Sequence, residues 1–322
     1  YTGGGCPHIL AEPQRTNLFP YSEDFSQWQK NSNITLSLNS TTAPDGSVSA
    51  DNINYVGSIG VPNDKTLQKQ ISVSTSNKDF TNSVYIKGTG EFRIKNTHGG
   101  VVDNFSSDFT ATSNWVRYDF SVSNSSSAGN SSQIAGILAS STNSAFNLDV
   151  WGGQLEEGSY ATSYIPTSGS TVTRNQDIFT RDGIGSLINS TEGVLFAEIA
   201  ALSNDGTNRT IALSDGTGNN IVRLYFSNSS NRIVAQVKVG GSTQVTFDIT
   251  GITVIDFNKV ALKYKENDFS IWINGVERGT DTSGTTPTSM NRLALDNGSG
   301  SENLFGKVKQ LQVYDTSLSD EQ

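Results

Sequence analysis

From Ile34 onward the apolar residues of this 322-residue chain fall in short runs at every second position, and helical three- and four-residue spacing is nearly absent. Residues 34–38 (Ile-Thr-Leu-Ser-Leu), 92–94 (Phe-Arg-Ile) and the set Val116, Tyr118, Phe120 and Val122 each turn apolar side chains to one face, as half-buried antiparallel strands do. Ala43-Pro44-Asp45-Gly46 and His98-Gly99-Gly100 read as turns, and residues 124–132 as a polar Ser-rich loop. Residues 146–151 form another strand, and the Ser-, Thr- and Gly-rich stretch 158–176 marks a boundary. Beyond it the same style returns, with strands expected at 193–200, 221–226, 233–239, 243–249, 260–264, 269–273, 292–295 and 307–314. Ile273-Asn274-Gly275-Val276 is the clearest hairpin, because Asn-Gly tolerates the positive φ that a type I′ turn needs at both central positions. Many short strands between regular turns predict an all-β chain of two sandwiches. Pro7, Pro13 and Pro20 with Gly3-Gly4-Gly5 make residues 1–30 an extended lead-in, suited to an arm that packs on a neighbour.

Charge narrows the partners. Lys and Arg number 22 against 31 Asp and Glu, a net charge of −9, the wrong sign for a phosphate backbone or an anionic membrane surface. Charged residues make up only 16%, so Ser, Thr, Asn and Gly must carry the polarity. The single cysteine, Cys6, excludes a disulfide framework and a Cys-based zinc site, and reads as an inert thiol. No apolar run approaches the roughly 18 residues of a membrane helix and no signal-peptide pattern opens the chain, so it reads as soluble. Met290 is the lone methionine, so residue 1 is no initiator and the chain reads as processed or as a piece of something longer.

Two resemblances refine this. The strand 193–199 (Gly-Val-Leu-Phe-Ala-Glu-Ile), the pair 259–264 (Lys-Val-Ala-Leu-Lys-Tyr) and 269–275 (Phe-Ser-Ile-Trp-Ile-Asn-Gly), and the ending 305–321 with its Leu318-Ser319-Asp320-Glu321 turn resemble the concanavalin A-like, laminin-G-like jelly roll. Residues 12–18 (Glu-Pro-Gln-Arg-Thr-Asn-Leu) followed by Tyr21-Ser22-Glu23, with 151–158 (Trp-Gly-Gly-Gln-Leu-Glu-Glu-Gly) and 161–167 (Ala-Thr-Ser-Tyr-Ile-Pro-Thr), resemble jelly-roll modules of bacteriophage tail or head fibre proteins. The implied organisation is an extended N-terminal arm at 1–16, a carbohydrate-binding-module-like jelly roll at 17–165, a linker at 166–176 and a laminin-G-like sandwich at 177–322. These resemblances imply a virion-surface, extracellular component that recognises host-surface glycans and contacts other virion proteins. They also imply a homo-oligomer, with a trimer favoured. Modules like the first half often hold a structural calcium between an early loop and the last strand, here drawing on Glu23, Asp24, Asp45 or Asp149.

Sugar sites stack an aromatic face on the ring and add amide hydrogen bonds. Alternation sets Trp272 opposite Phe269, Ile271 and Ile273, on the face of Ser270 and Asn274, which makes Trp272 and Asn274 the leading ligand candidates, with packing under a covering layer as the alternative for Trp272. Tyr85 and Trp115 are the equivalents in the first half, while Trp28 is expected to pin the arm. Glycan-cleaving concanavalin-like folds need two carboxylates on one face about 5 Å apart. Glu198 has no such partner on its strand, and the adjacent Glu156 and Glu157 point to opposite faces; all three are expected to be solvated. With only His8 and His98 a Ser-His-Asp triad is not expected either. The sequence therefore predicts a non-catalytic glycan binder, with a ligand-free structural spacer as the alternative and a glycan-degrading enzyme behind both.

Overall fold

The computed structural model describes residues 8–57, 66–98, 104–124 and 131–319. Cys6, the glycines at 3–5, the Gly99-Gly100 turn, residues 125–130 of the polar loop and the Asp320-Glu321 end of the closing turn lie outside them. The chain divides into two units: residues 14–175, and residues 176–322 joined by 1–13.

Residues 14–175 are organised around one strand, Asp79–His98. Its first half pairs antiparallel with Phe146–Glu157 on one side and Val116–Ser123 on the other. Its second half pairs with Ser132–Ala139 and Phe109–Thr110. The strand thus belongs to both layers of a sandwich, and it changes layer at Gly88 and Gly90, where φ is 139° and 100°. Only glycine fits this corner, because a Cβ would stand 2.2 Å from the Asn147 carbonyl oxygen at Gly88 and 2.6 Å from that of Ala145 at Gly90. Ala50–Tyr55 and Ile34–Thr41 extend the first layer, and Thr66–Ser72 and Gln29–Lys30 the second. Between the layers Ile53, Val84, Ile86, Leu148 and Val150 meet Leu67, Phe92, Ile94, Ala135 and Ile137, all essentially without solvent contact. Trp28 belongs to this core, with ring centroids 4.4 Å from Phe19 and 4.8 Å from Phe25.

Residues 176–322 form two six-stranded sheets. The front sheet runs Ile9–Ala11, Gly306–Tyr314, Glu192–Ala201, Asn258–Lys265, Phe269–Ile273 and Val276–Asp281. The back sheet runs Thr180–Arg181, Arg292–Ala294, Arg209–Ser214, Ile221–Phe226, Arg232–Val239 and Ser242–Thr250. Period-two alternation sends Leu195, Ala197, Ile199, Val260, Leu262, Phe269, Ile271 and Ile273 inward, against Ile211, Leu213, Val222, Leu224, Ile233, Ala235 and Val237 of the back sheet. The Asn274-Gly275 hairpin has φ of 54° and 80°, the two positive values its sequence requires.

The lead-in is extended and paired within its own chain. Ile9–Ala11 hydrogen-bonds to residues 306–308 at the edge of the front sheet, satisfying an edge that would otherwise expose its peptide groups. Glu12 and Asp177 anchor its end: the Glu12 N–H donates to Asp177 Oδ2 at 2.9 Å, and the Asp177 N–H to the Glu12 carbonyl at 2.9 Å. Within residues 14–175, Arg15–Asn17 pairs with Val172–Arg174. The protein is all-β, with two antiparallel sandwiches and an extended N-terminal segment.

The layer change makes a direct test. Gly90→Ala forces a side chain into an occupied space at positive φ and is expected to cost residues 14–175 about 2 kcal/mol or more. Urea unfolding monitored by tryptophan fluorescence should show the midpoint of that unit falling.

Candidate functional site

The stretches that resemble fibre modules build a buried polar junction. Asn17 is fully buried; its Nδ2 donates to the carbonyls of Gly153 at 3.1 Å and Ile165 at 2.9 Å, and its Oδ1 accepts from the N–H groups of Phe19 and Leu155. Gln154 Oε1 accepts from the Ile165 N–H at 2.7 Å. Glu156 accepts from the N–H and hydroxyl of Thr162 at 2.6 and 2.7 Å. Glu156 is therefore wholly buried rather than solvated, because the loop at 158–167 folds back and supplies donors that replace water. Glu198 is also buried, 7% exposed, with Lys309 Nζ 3.1 Å from its Oε1. Glu157 alone of the three is exposed, and it pairs with Lys78.

In the same unit the structure brings Trp115 and Asp149 together around Lys87, and Tyr85 and Trp115 pack against the same small cluster of Ala43, Ala50 and Trp151. Lys87 Nζ lies 4.9 Å from the Trp115 ring centroid and 3.7 Å from Asp149 Oδ2. Trp115 Nε1 donates to the Thr42 carbonyl at 3.1 Å. Tyr85 packs edge-on and tilted against Tyr164 and Trp151, with the Arg117 guanidinium 5.5 Å from its ring. Burial holds the Tyr164 hydroxyl far above its ordinary pKa, and that hydroxyl donates to Glu23 at 2.9 Å. These rings are held by neighbours on their faces and edges.

The carboxylates expected around a calcium are dispersed. Glu23 and Asp24 line a shallow concavity with Tyr21, Asn39 and Thr167, whereas Asp45 and Asp149 are not part of it. Asp24 accepts from Ser26 and caps the short turn Phe25–Gln27. Asp45 accepts from the hydroxyl and N–H of Ser47, which hold its carboxyl below the usual range. Asp149 accepts from Asn52 at 2.8 Å. Among the described residues no three His, Cys, Asp or Glu side chains gather as a metal site. Asp51, which sequence reasoning missed, is the buried carboxylate nearby; it accepts from the N–H groups of Phe25 and Asn39, and burial raises its pKa.

The front sheet of residues 176–322 carries a groove of about 410 Å³ on the face turned away from the core, within the usual range for ligand sites. Register explains it. Gln312, Phe196, Ala261 and Trp272 lie side by side on four neighbouring strands, spanning about 14 Å. Ala261 is the small member of that row, so the Phe196 and Trp272 rings stand as walls on either side. Val194, Tyr314 and Lys263 form the row on one side of it, Gln310, Glu198 and Lys259 the row on the other, and Leu318 and Ser319 also line the groove.

Trp272 is half-buried, and its Nε1 donates to Ser270 Oγ at 3.3 Å, which lays the indole back along its own strand. Among the described residues no aromatic ring or cation stacks on it. The Tyr314 hydroxyl donates to Gln312 Oε1 at 2.6 Å and leaves the Gln312 amide N–H groups available. Asn274 sits beside the groove at the hairpin, where its Oδ1 accepts from the Lys259 N–H and its Nδ2 donates to Asn258 Oδ1. Its amide ties the hairpin to the strand Asn258–Lys265. Phe196, Lys259, Gln312 and Tyr314 were missed in the sequence although the alternation that exposed Trp272 marks them too; the order of strands in the sheet was the missing information.

Residues 197–322 match the concanavalin A-like lectin/glucanases superfamily. The match begins just after Phe196 and takes in the groove from Lys259 to Ser319. The match covers less than half of the chain and most of the sandwich of residues 176–322, which is similar to that superfamily. No curated protein matches the chain. Among solved structures it is similar to sheep galectin-11 in complex with glycerol, at 12% identity over 42% of this chain and 97% of that one, with a TM-score of 0.30. The tandem CBM22-1-CBM22-2 domain of Paenibacillus barcinonensis Xyn10C is similar at 11% identity over 99% of this chain and all of that one, TM-score 0.31. Domains LG4-5 of the mouse laminin α1 chain are similar at 10% identity over 88% and 89%, TM-score 0.28.

The polar junction accounts for the motif residues without any ligand. Asn17→Ala removes four hydrogen bonds and strands buried partners, so residues 14–175 should lose about 3 kcal/mol, measured as a drop in the urea midpoint with the unfolding slope unchanged.

Proposed function

We propose that the chain binds carbohydrate without altering it, through the groove on the front sheet of residues 176–322. The observation that carries this reading is the half-buried indole of Trp272, oriented by Ser270 and free of any stacking partner among the described residues, in a trough with amide side chains at hand. A sugar ring laid on that indole would bury its CH groups, and Gln310 and Gln312 would meet its hydroxyls. The match to a lectin and glucanase superfamily over the same residues supports the assignment. Binding rather than hydrolysis is favoured because Glu156 and Glu198 already hold structural partners, Thr162 and Lys309.

The setting we assign is the surface of a bacteriophage particle, as a tail or head fibre or decoration subunit attaching to host glycans. It rests on the stretches at 12–18, 151–158 and 161–167 that resemble such proteins. Several copies per particle, as a trimer, would strengthen individually weak contacts. A ligand-free spacer role is favoured for residues 14–175 alone, by the engaged rings of Tyr85 and Trp115.

A glycan array probed with wild type, Trp272→Ala and Trp115→Ala, each checked for folding by circular dichroism, tests the site. Trp272→Ala should weaken every positive signal roughly tenfold or more, and Trp115→Ala should leave them unchanged; full binding by Trp272→Ala overturns the assignment. Gold-labelled antibody to the chain should decorate intact phage particles. Labelling of host cells without particles would overturn the virion setting.

A further inference from the structure

The groove has a sign as well as a shape. Its lining holds Lys259 and Lys263 and, among the described residues, no aspartate or glutamate, in a chain where acidic residues outnumber basic ones 31 to 22. Lys263 is bridged at 2.8 Å to Asp268, whose side chain is half exposed. Lys259 Nζ has no hydrogen-bond or ion-pair partner among the described residues. The acids beside the groove do not neutralise it: Glu198, opposite Lys259 in the ladder, is drawn to Lys309 at 3.1 Å, and Glu277, opposite Trp272, is outside the lining.

An uncompensated ammonium therefore stands one row, about 7 Å along the strand, from the row that carries an open indole. Resting on the carbohydrate reading above, we infer that the groove takes an acidic glycan, whose ring stacks on Trp272 while a carboxylate or sulfate substituent pairs with Lys259. A charge-assisted hydrogen bond is stronger than the neutral amide contacts around it. The net charge of −9 repels polyanions in general. Binding of one therefore has to come from a local cationic site such as this.

The test is isothermal titration of the full chain with four polymers: polygalacturonate, its carboxyl-reduced form, dextran sulfate and neutral dextran. At least one anionic polymer should bind and its neutral counterpart should bind at least about fivefold more weakly; which anionic polymer binds separates carboxylate from sulfate recognition. Affinity should fall as salt rises from about 0.01 to about 0.15 M, where the screening length shrinks from about 30 to about 8 Å. Lys259→Gln, at an exposed position, should erase the difference between charged and neutral polymers, while Lys238→Gln on the other sheet should not. Equal binding of charged and neutral polymers, or an unchanged Lys259→Gln, overturns the acidic specificity and leaves the Trp272 groove standing. Binding by none of the four, together with an array on which wild type is silent, removes the carbohydrate reading and this inference with it.

Discussion

A strand in a sandwich has one face that must be covered, and the functional surface of residues 176–322 depends on which side chains are left on the other. The inner face takes Leu195, Ala197, Val260, Leu262, Ile271 and Ile273 and closes against the back sheet. That commitment forces Phe196, Ala261 and Trp272 outward together, because a one-residue slip would invert every side chain at once. The groove is thus a by-product of core register, and its small central residue, Ala261, gives it depth.

Residues 14–175 solve a different problem. Their two layers share the strand Asp79–His98, so the sandwich needs a corner that turns without losing hydrogen bonds, and Gly88 and Gly90 provide it. The beginning and end of the unit are then joined by Asn17, Gln154 and Glu156, whose buried polar atoms find partners on the 158–167 loop or, for Asn17, also on the strand Phe146–Glu157. Such a junction is costly if half made and specific if complete. The stretches at 12–18, 151–158 and 161–167 supply the residues of this junction.

Much of this was legible in the sequence. Period-two alternation located strands such as Ile221–Phe226 and Phe269–Ile273, and Asn274-Gly275 announced its hairpin, because local backbone preference and side-chain direction are properties of neighbouring residues. Trp272 could be marked as outward-facing on the same ground. The solvated state expected for Glu156 and Glu198 failed because burial depends on what folds over a carboxylate from elsewhere: Thr162 in one case and the strand of Lys309 in the other. Asn274 was marked as a ligand candidate, and its amide ties the hairpin to the strand Asn258–Lys265, a use visible only once Asn258 and Lys259 are placed beside it.

What the sequence determined by itself was the class of element, the turns between them and the face each side chain takes, since these follow from φ, ψ and the two-residue repeat of an extended chain. What the tertiary structure alone decided was adjacency. Strand order set Gln312 and Tyr314 beside residues 194–196, more than 110 positions away, placed Ile9–Ala11 on the edge formed by Gly306–Tyr314, and gathered two lysines around an indole. Pairing between distant strands is set by the summed fit of whole faces and backbone ladders, and no local stretch of residues encodes that sum.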